Sequence, residues 1–354
     1  MRLDLLELIC CPLCKNDFDV IPLRQEEDSR EEAVLVCRAC KGIYPVIGGV
    51  PRLLPNASLQ FHRFLAQHRE KIAAEVWRAN FESVNKEHLA GLIKAQRRTQ
   101  KSFSLEWSVQ GEEDVTWQWG TQERTARVLD VEMRMPAQER QNKVILDAGC
   151  GNGLLTSELG KHFASVLGLD LSFSVEAAHR KNRRANVHFI QGDLMHPPLK
   201  LGAIDAIYSN GVLHHTPNTE LAFSCLVPVL KPQGRFCMWL YKPEPDLHHQ
   251  TMLALRRIFR RLPLKLSAAL FFLFFVPLSL LKRKIKNIFL KKYEPEVGWR
   301  VQLINLIDGL TPKYRFEHTP EEVKIWYHKR GFSNVQVTLQ EYLGFVILGD
   351  RASS

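Results

Sequence analysis

The chain has 354 residues, 45% hydrophobic and 24% charged. At roughly 150 residues per domain there is room for two or three domains and a sizeable core, and the composition excludes a disordered, collagen-like or multi-span membrane chain. Lys+Arg 48 against Asp+Glu 38 gives +10, but residues 247–293 alone hold eleven Lys/Arg and no Asp/Glu, leaving 37 − 38 = −1 elsewhere. A basic block wrapped around an apolar run points to an anionic membrane surface as partner and argues against a nucleic acid.

Five cysteines, Cys10, Cys11, Cys14, Cys37 and Cys40, crowd the first forty residues. Cys11-x2-Cys14 and Cys37-x2-Cys40 are short turns twenty-two residues apart. Each can aim two thiolates at one tetrahedral centre, and four thiolates are the donor set of a closed structural zinc site. Cys10 competes with Cys11 by spacing, while the Cys-Pro-x-Cys form favours Cys11, so Cys11, Cys14, Cys37 and Cys40 are the expected ligands. Residues 1–8 carry Asp4 and Glu7 and no long apolar run, so a reducing cytosol is expected. Residues 44–51 read as strand, turn and strand, closing a first unit at 1–55. Its segments Leu-Glu-Leu-Ile-Cys-Cys-Pro-Leu-Cys-Lys and Cys-Arg-Ala-Cys-Lys-Gly-Ile-Tyr-Pro-Val-Ile-Gly-Gly-Val-Pro-Arg-Leu-Leu resemble the Trm112-like zinc-ribbon family. Members of that family are activator subunits or fused N-terminal domains of methyltransferases, and the resemblance implies a scaffold.

Residues 58–141 are rich in helix formers and read as a helical linker or lid. Trp107, Trp117 and Trp119 lie there in a polar, loop-like passage, where they either pack or close over an acceptor.

From 142 to 241 apolar strands alternate with helical patterns: strands at 144–146, 166–169, 187–190, 204–208 and 235–240, with helices opening near Leu154, Phe173 and Thr219. Strict alternation predicts an α/β fold with a parallel sheet and right-handed crossovers. The run Val-Ile-Leu-Asp-Ala-Gly-Cys-Gly-Asn-Gly, 144–153, is a strand entering a tight turn that opens a helix. Gly149, Gly151 and Gly153 remove Cβ atoms that would keep a ligand off the backbone. Their Gly-x-Gly-x-Gly spacing differs from the dinucleotide Gly-x-Gly-x-x-Gly, and Asp147 would repel a pyrophosphate but suits a ligand ammonium, as in S-adenosylmethionine. Asp170, seventeen residues after Gly153, can accept from two ribose hydroxyls; Asp193 can accept from the adenine amine, with Leu171 and Leu194 against the ring.

Residues 143–241 resemble a class I S-adenosylmethionine-dependent methyltransferase of the type-11, quinone-methyltransferase-like group, and 320–349 fit its closing helix and antiparallel strands. That resemblance implies a seven-stranded Rossmann-like sheet with an antiparallel last strand, and cofactor contacts from Asp147, Gly149, Gly151, Gly153, Asp170, Leu171, Asp193, Leu194 and Asn210. The domain is expected at 142–241 and 319–350. His214 and His215 are candidate general bases, with a structural histidine pair as the other reading.

Residues 242–318 form a basic apolar insertion. Its centre, 266–281, has sixteen uncharged residues including Phe271, Phe272, Phe274 and Phe275. As a helix it would span about 24 Å, short of the roughly 30 Å hydrocarbon core, and Pro277 interrupts it. Arg256, Arg257, Arg260 and Arg261 precede it, with Leu255, Ile258, Phe259 and Leu262 on the opposite face; Lys282, Arg283, Lys284 and Lys286 follow. This predicts a monotopic element on the cytoplasmic membrane face, contacting anionic lipid through 255–292, each cation contributing about 1 kcal/mol. A buried hairpin or a dimer interface is the alternative. Thr319, Pro320 and Glu322 then predict a capping box opening a helix that stops at Gly331, followed by strands at 335–339 and 344–348. The expected activity is methyl transfer to a small-molecule or lipid-linked acceptor, with RNA or protein as the alternative.

Overall fold

The computed structural model describes residues 1–26, 29–82, 97, 99–109, 115–116, 119–289 and 298–353. Thirteen strands are found among them: β1 (Phe18–Glu26), β2 (Ser29–Cys37), β3 (Ile43–Ile47), β4 (Val50–Leu53), β5 (Val115–Thr116), β6 (Trp119–Gly120), β7 (Val144–Ala148), β8 (Ser165–Asp170), β9 (Val187–Gly192), β10 (Ile204–Asn210), β11 (Leu230–Tyr241), β12 (Phe332–Gln340) and β13 (Gly344–Arg351). β5 and β6 form a small ladder, and the other eleven make one sheet in the order β1-β2-β3-β4-β9-β8-β7-β10-β11-β13-β12. The expected seven strands are its right-hand portion, β9 to β12, with β7, β8, β9, β10 and β11 parallel and β13 antiparallel to β11. Eleven strands instead of seven arise because the cysteine-bearing ribbon adds its own antiparallel meander. β4 pairs in parallel with β9 through Arg52↔Gln191 and Leu53↔Gly192.

The parallel strands are buried on both faces, as near-continuous apolar runs require. Leu146, Leu167, Leu169, Ile190 and Ile207 share one core with Leu5, Leu35 and Tyr44 of the ribbon. Ile145, Val166, Phe189 and Tyr208 fill the other face. Arg52, 1% exposed, bridges the two parts: its Nη1 donates to Gln191 Oε1 at 3.0 Å and its Nη2 to Glu176 Oε1 at 2.8 Å.

The closing helix, Pro320–Lys329, is capped by Thr319 Oγ1, which accepts from Glu322 N–H at 3.2 Å. The capping box is only half made, because the Glu322 carboxylate turns to His318 Nδ1 at 3.0 Å. Gly331 ends the helix with φ +76°. In the insertion, helix Leu247–Phe259 is followed by Leu264–Leu270, a wider turn at Phe271–Phe275 and Val276–Phe289. Pro277 therefore does not interrupt the run. The preceding wide turn absorbs the missing N–H and the ring clash that Pro imposes on a regular helix. Arg256, expected among the outward cations, is buried instead, donating to the carbonyls of Gly309 at 3.4 Å and Pro312 at 2.7 Å, while Ile258 faces outward.

Candidate functional site

β7 ends in the glycine turn, and its neighbours β8 and β10 diverge to either side. This is the switch point where an open α/β sheet leaves a crevice at its carboxyl edge. Asp147 is buried near the end of β7 and accepts from Thr156 Oγ at 2.6 Å. Burial pushes its carboxyl up to about 7, against the lowering hydrogen bond from Thr156, with Asp170 adding to the rise. Asp170 ends β8 and organises the turn: Oδ2 accepts from Gly151 N–H at 2.9 Å, and Oδ1 from Ser172 N–H and Oγ–H at 2.7 and 2.6 Å. Asp193, just past β9, accepts from Met195 N–H at 2.9 Å, with Leu194 buried and Leu171 half-buried nearby in sequence. Asn210 closes β10 at the same edge.

The three turn glycines hold φ of +94°, +53° and +74°. The space their Cβ atoms would fill is taken by protein: Val212 at Gly149, Trp107 at Gly151, Ala178 and Phe189 at Gly153. Their absent side chains thus permit this close packing of the turn.

Trp107 lies on a helix covering 99–109, not in a loop. Trp117 and the side chain of Trp119 fall outside the described residues. The helix is pinned over the crevice. Gln100 Nε2 donates to Leu171 O at 3.0 Å, Phe173 N–H donates to Ser104 Oγ at 3.1 Å, and the Ser102 and Thr311 hydroxyls meet at 2.7 Å.

Behind it sits a buried polar cluster that motif reading does not reveal, because its members come from four separate segments. His215 Nδ1 donates to Tyr314 O at 2.8 Å, and its Nε2 is 3.2 Å from Asp308 Oδ1. Tyr241 donates to Asp308 Oδ2 at 2.6 Å, and the Arg315 guanidinium stacks 3.9 Å from the Tyr241 ring centre. Burial would raise the Asp308 carboxyl, yet His215, the Tyr241 hydroxyl and Arg315 hold it below the usual carboxylate range. His215 Nδ1 is thus committed to the fold, while Nε2 lies beside Asp308 without a hydrogen bond, and the Nδ1 bond favours the structural reading for that residue. His214 is fully buried between Tyr241 and His215, ring centroids 4.4 Å from each. Burial and the neighbouring positive charges push it well below its ordinary value, so it is neutral.

The cysteines converge as spaced: Sγ atoms of Cys11, Cys14, Cys37 and Cys40 lie within 4.8 Å of one another. The residue after each turn, Lys15 and Lys41, adopts a left-handed φ of 62° and 59°, so both knuckles have the same shape. Tyr44 OH lies 3.2 Å from Cys11 Sγ. Cys10 packs in the core, its thiol pushed up to about 11 by burial, and stays outside the cluster.

Residues 146–238 match the family model described as methyltransferase domain, and residues 2–49 that of Trm112p-like protein. An uncharacterized methyltransferase of Mycobacterium bovis is 33% identical over 91 residues, 25% of this chain and 46% of that protein. Trans-aconitate 2-methyltransferase of Deinococcus radiodurans is 30% identical over 133 residues, 37% of this chain and 50% of that one. The solved structure of magnesium protoporphyrin IX methyltransferase from Synechocystis PCC 6803 with bound SAH aligns with TM-score 0.44 and 18% identity, over 74% of this chain and 99% of that chain. The chain spans about half the length of the curated relatives named here.

Proposed function

We propose that this chain, which carries a methyltransferase domain behind a Trm112p-like one, is an S-adenosylmethionine-dependent methyltransferase acting on a small or lipid-linked acceptor at the cytoplasmic membrane face. The observation that carries the reading is Asp147, Asp170 and Asp193 at the ends of three adjacent parallel strands, beside the left-handed glycine turn. Asp170 accepts from the ribose through Oδ2, which keeps acceptor capacity beyond its bond from Gly151 N–H, while Oδ1 already accepts twice from Ser172. Asp193 accepts from the adenine amine with Leu171 and Leu194 against the ring, and Asn210 lines the same edge. Asp147, a buried carboxyl with one hydrogen-bond partner, suits the ligand ammonium. The donor supplies an electrophilic methyl group; the chain's residues bind, orient and exclude water.

The four thiols fit zinc. Tetrahedral Zn–S bonds of about 2.3 Å place sulfurs about 3.8 Å apart, near the 3.6 Å of Cys11–Cys40 and 3.3 Å of Cys14–Cys37. All four positions are filled by protein, so the ion is structural.

For the membrane face, the supporting features are in the insertion. Phe272, Leu273 and Phe274 are 49%, 61% and 63% exposed, and Leu278 and Leu281 continue the strip. Exposed Arg257, Arg260, Arg261, Lys265 and Lys284 flank it. By length and composition Leu264–Leu281 is sufficient to cross a bilayer. Phe271 and Val276, however, are buried against Phe259, Leu303, Ile307 and Leu310, which favours a helix lying in the interface over one spanning it.

The test is calorimetric titration with S-adenosylhomocysteine, flotation with anionic vesicles, and transfer of label from S-[methyl-3H]adenosylmethionine into fractionated host extract. Saturable binding lost in Asp170→Ala, flotation, and label in small molecules or lipid are expected. Label in RNA or protein would favour the second reading, which the Trm112p-like match supports.

A further inference from the structure

We infer that the buried cluster behind helix 99–109 is the acceptor seat, that it takes an uncharged hydroxyl, and that Glu106 removes the hydroxyl proton. The inference rests on the methyltransferase reading above.

Glu106 is 1% exposed, and among the described residues no hydrogen-bond partner reaches its Oε2. The same is true of both ring nitrogens of His214, which is 0% exposed. His215 Nε2 and Arg315 Nε are likewise without a hydrogen-bond partner among the described residues. Unpaired buried polar atoms are costly, and these five point to a group that satisfies some of them when it is bound. Their location fits an acceptor. Glu106 lies within electrostatic reach of Asp170, at the proposed donor side, and of Asp308, on the helix Trp299–Leu310. Phe103, one turn earlier on the same helix, contacts His215 with centroids 5.2 Å apart.

The chemistry of the open atoms selects the class. A neutral imidazole offers one donor and one acceptor, and a carboxyl accepts, which together match a hydroxyl. An anionic acceptor would face Asp170, Asp308 and the Glu106 that the step needs ionised, while Arg256 is spent on two carbonyls and Arg315 Nη1 on Glu317, its Nε alone lacking a hydrogen-bond partner among the described residues. Burial and the two neighbouring carboxylates hold the Glu106 carboxyl well above its ordinary value, so it first releases its own proton to solvent, and the ionised form is then a strong base. In the step, a lone pair of the acceptor oxygen attacks the methyl carbon and the C–S bond breaks with its pair returning to sulfur. The hydroxyl proton passes to Glu106. The products are a methyl ether and the neutral thioether, and Glu106 returns its proton to solvent on release.

Two measurements on the full-length protein test this. With the S-adenosylhomocysteine complex, phenol and benzoate are titrated as probes and the His214 imidazole resonance is followed; saturable phenol binding, weakened at least tenfold in Glu106→Gln, is expected. Stronger binding of benzoate, no binding of phenol, or an unaffected Gln variant would overturn the assignment. In the label-transfer assay, product stable to mild alkali is expected, in the organic extract for a lipid acceptor or the aqueous one for a sugar or free phenol. Glu106→Gln should cut turnover at least about 100-fold with unchanged S-adenosylhomocysteine affinity. Label released as methanol by alkali marks an ester and overturns the hydroxyl class alone, whereas a wild-type protein that fails to bind S-adenosylhomocysteine defeats the underlying reading.

Discussion

Asp147 sets a measurable balance between binding and stability. Its folded value of about 7 lies above the ordinary 3.8, so the folded protein holds a proton that the unfolded chain releases between these values. Stability from this group is therefore intact at pH 4, falls as pH rises to 7, and is flat above it. Asp147→Asn removes the titration. Its advantage over the wild type in unfolding free energy should grow from nothing near pH 4 to a few kcal/mol at pH 8, at about 1.4 kcal/mol per pH unit of separation. Parallel pH curves for the two proteins would show that the carboxyl is not held protonated. Binding carries the opposite sign, since an ammonium favours the ionised carboxylate; S-adenosylhomocysteine affinity should rise with pH through 7 in the wild type and stay level in Asp147→Asn.

Among the elements, ribbon and cofactor edge share a short hydrogen-bonded chain. Arg52 holds Gln191, whose Nε2 donates to Leu171 O at 3.1 Å, the same carbonyl that accepts from Gln100 of helix 99–109. Arg52→Ala leaves the buried Gln191 oxygen short of a donor and the partly exposed Glu176 carboxylate without its cation. It should weaken S-adenosylhomocysteine binding several-fold in addition to lowering the melting temperature; unchanged affinity would make the ribbon a bystander. Such links are invisible in the chain, because Arg52 and Gln191 stand 139 residues apart and no local pattern pairs them. The same holds for Glu106, His214, Tyr241 and Asp308, brought together only by tertiary packing. By contrast Asp147, Asp170, the turn glycines and the four cysteines are readable, because each belongs to a short contiguous pattern dictated by a strand end or a tetrahedral centre. The helix through Pro277 escapes the reading for a different reason: a wide turn upstream relieves what local propensity forbids.

Across the whole molecule, helix 99–109 joins the basic apolar insertion to the glycine turn. Leu105 and Val109 pack with Phe259, Phe271 and Leu310, while Trp107 lies against Gly151. Lipid contact at Phe272 and Phe274 should therefore be felt at the crevice. Vesicles rich in anionic lipid are expected to change S-adenosylhomocysteine affinity at least threefold, and by reciprocity the ligand changes vesicle partitioning equally. Phe272→Ser with Phe274→Ser should abolish both effects, and identical affinities with and without vesicles would separate the two elements. The pairing of β4 with β9 has a different reach. In the methyltransferase portion β9 is a flank strand, and the Gln191–Gly192 end of its outer row of N–H and C=O groups is here paired with the ribbon. Stripping the proposed zinc ion should uncover that row as a template for other chains. Self-association seen by light scattering after chelation, ahead of any loss of helix signal, is the symptom to expect, and it makes the four cysteines guardians of solubility as much as of shape.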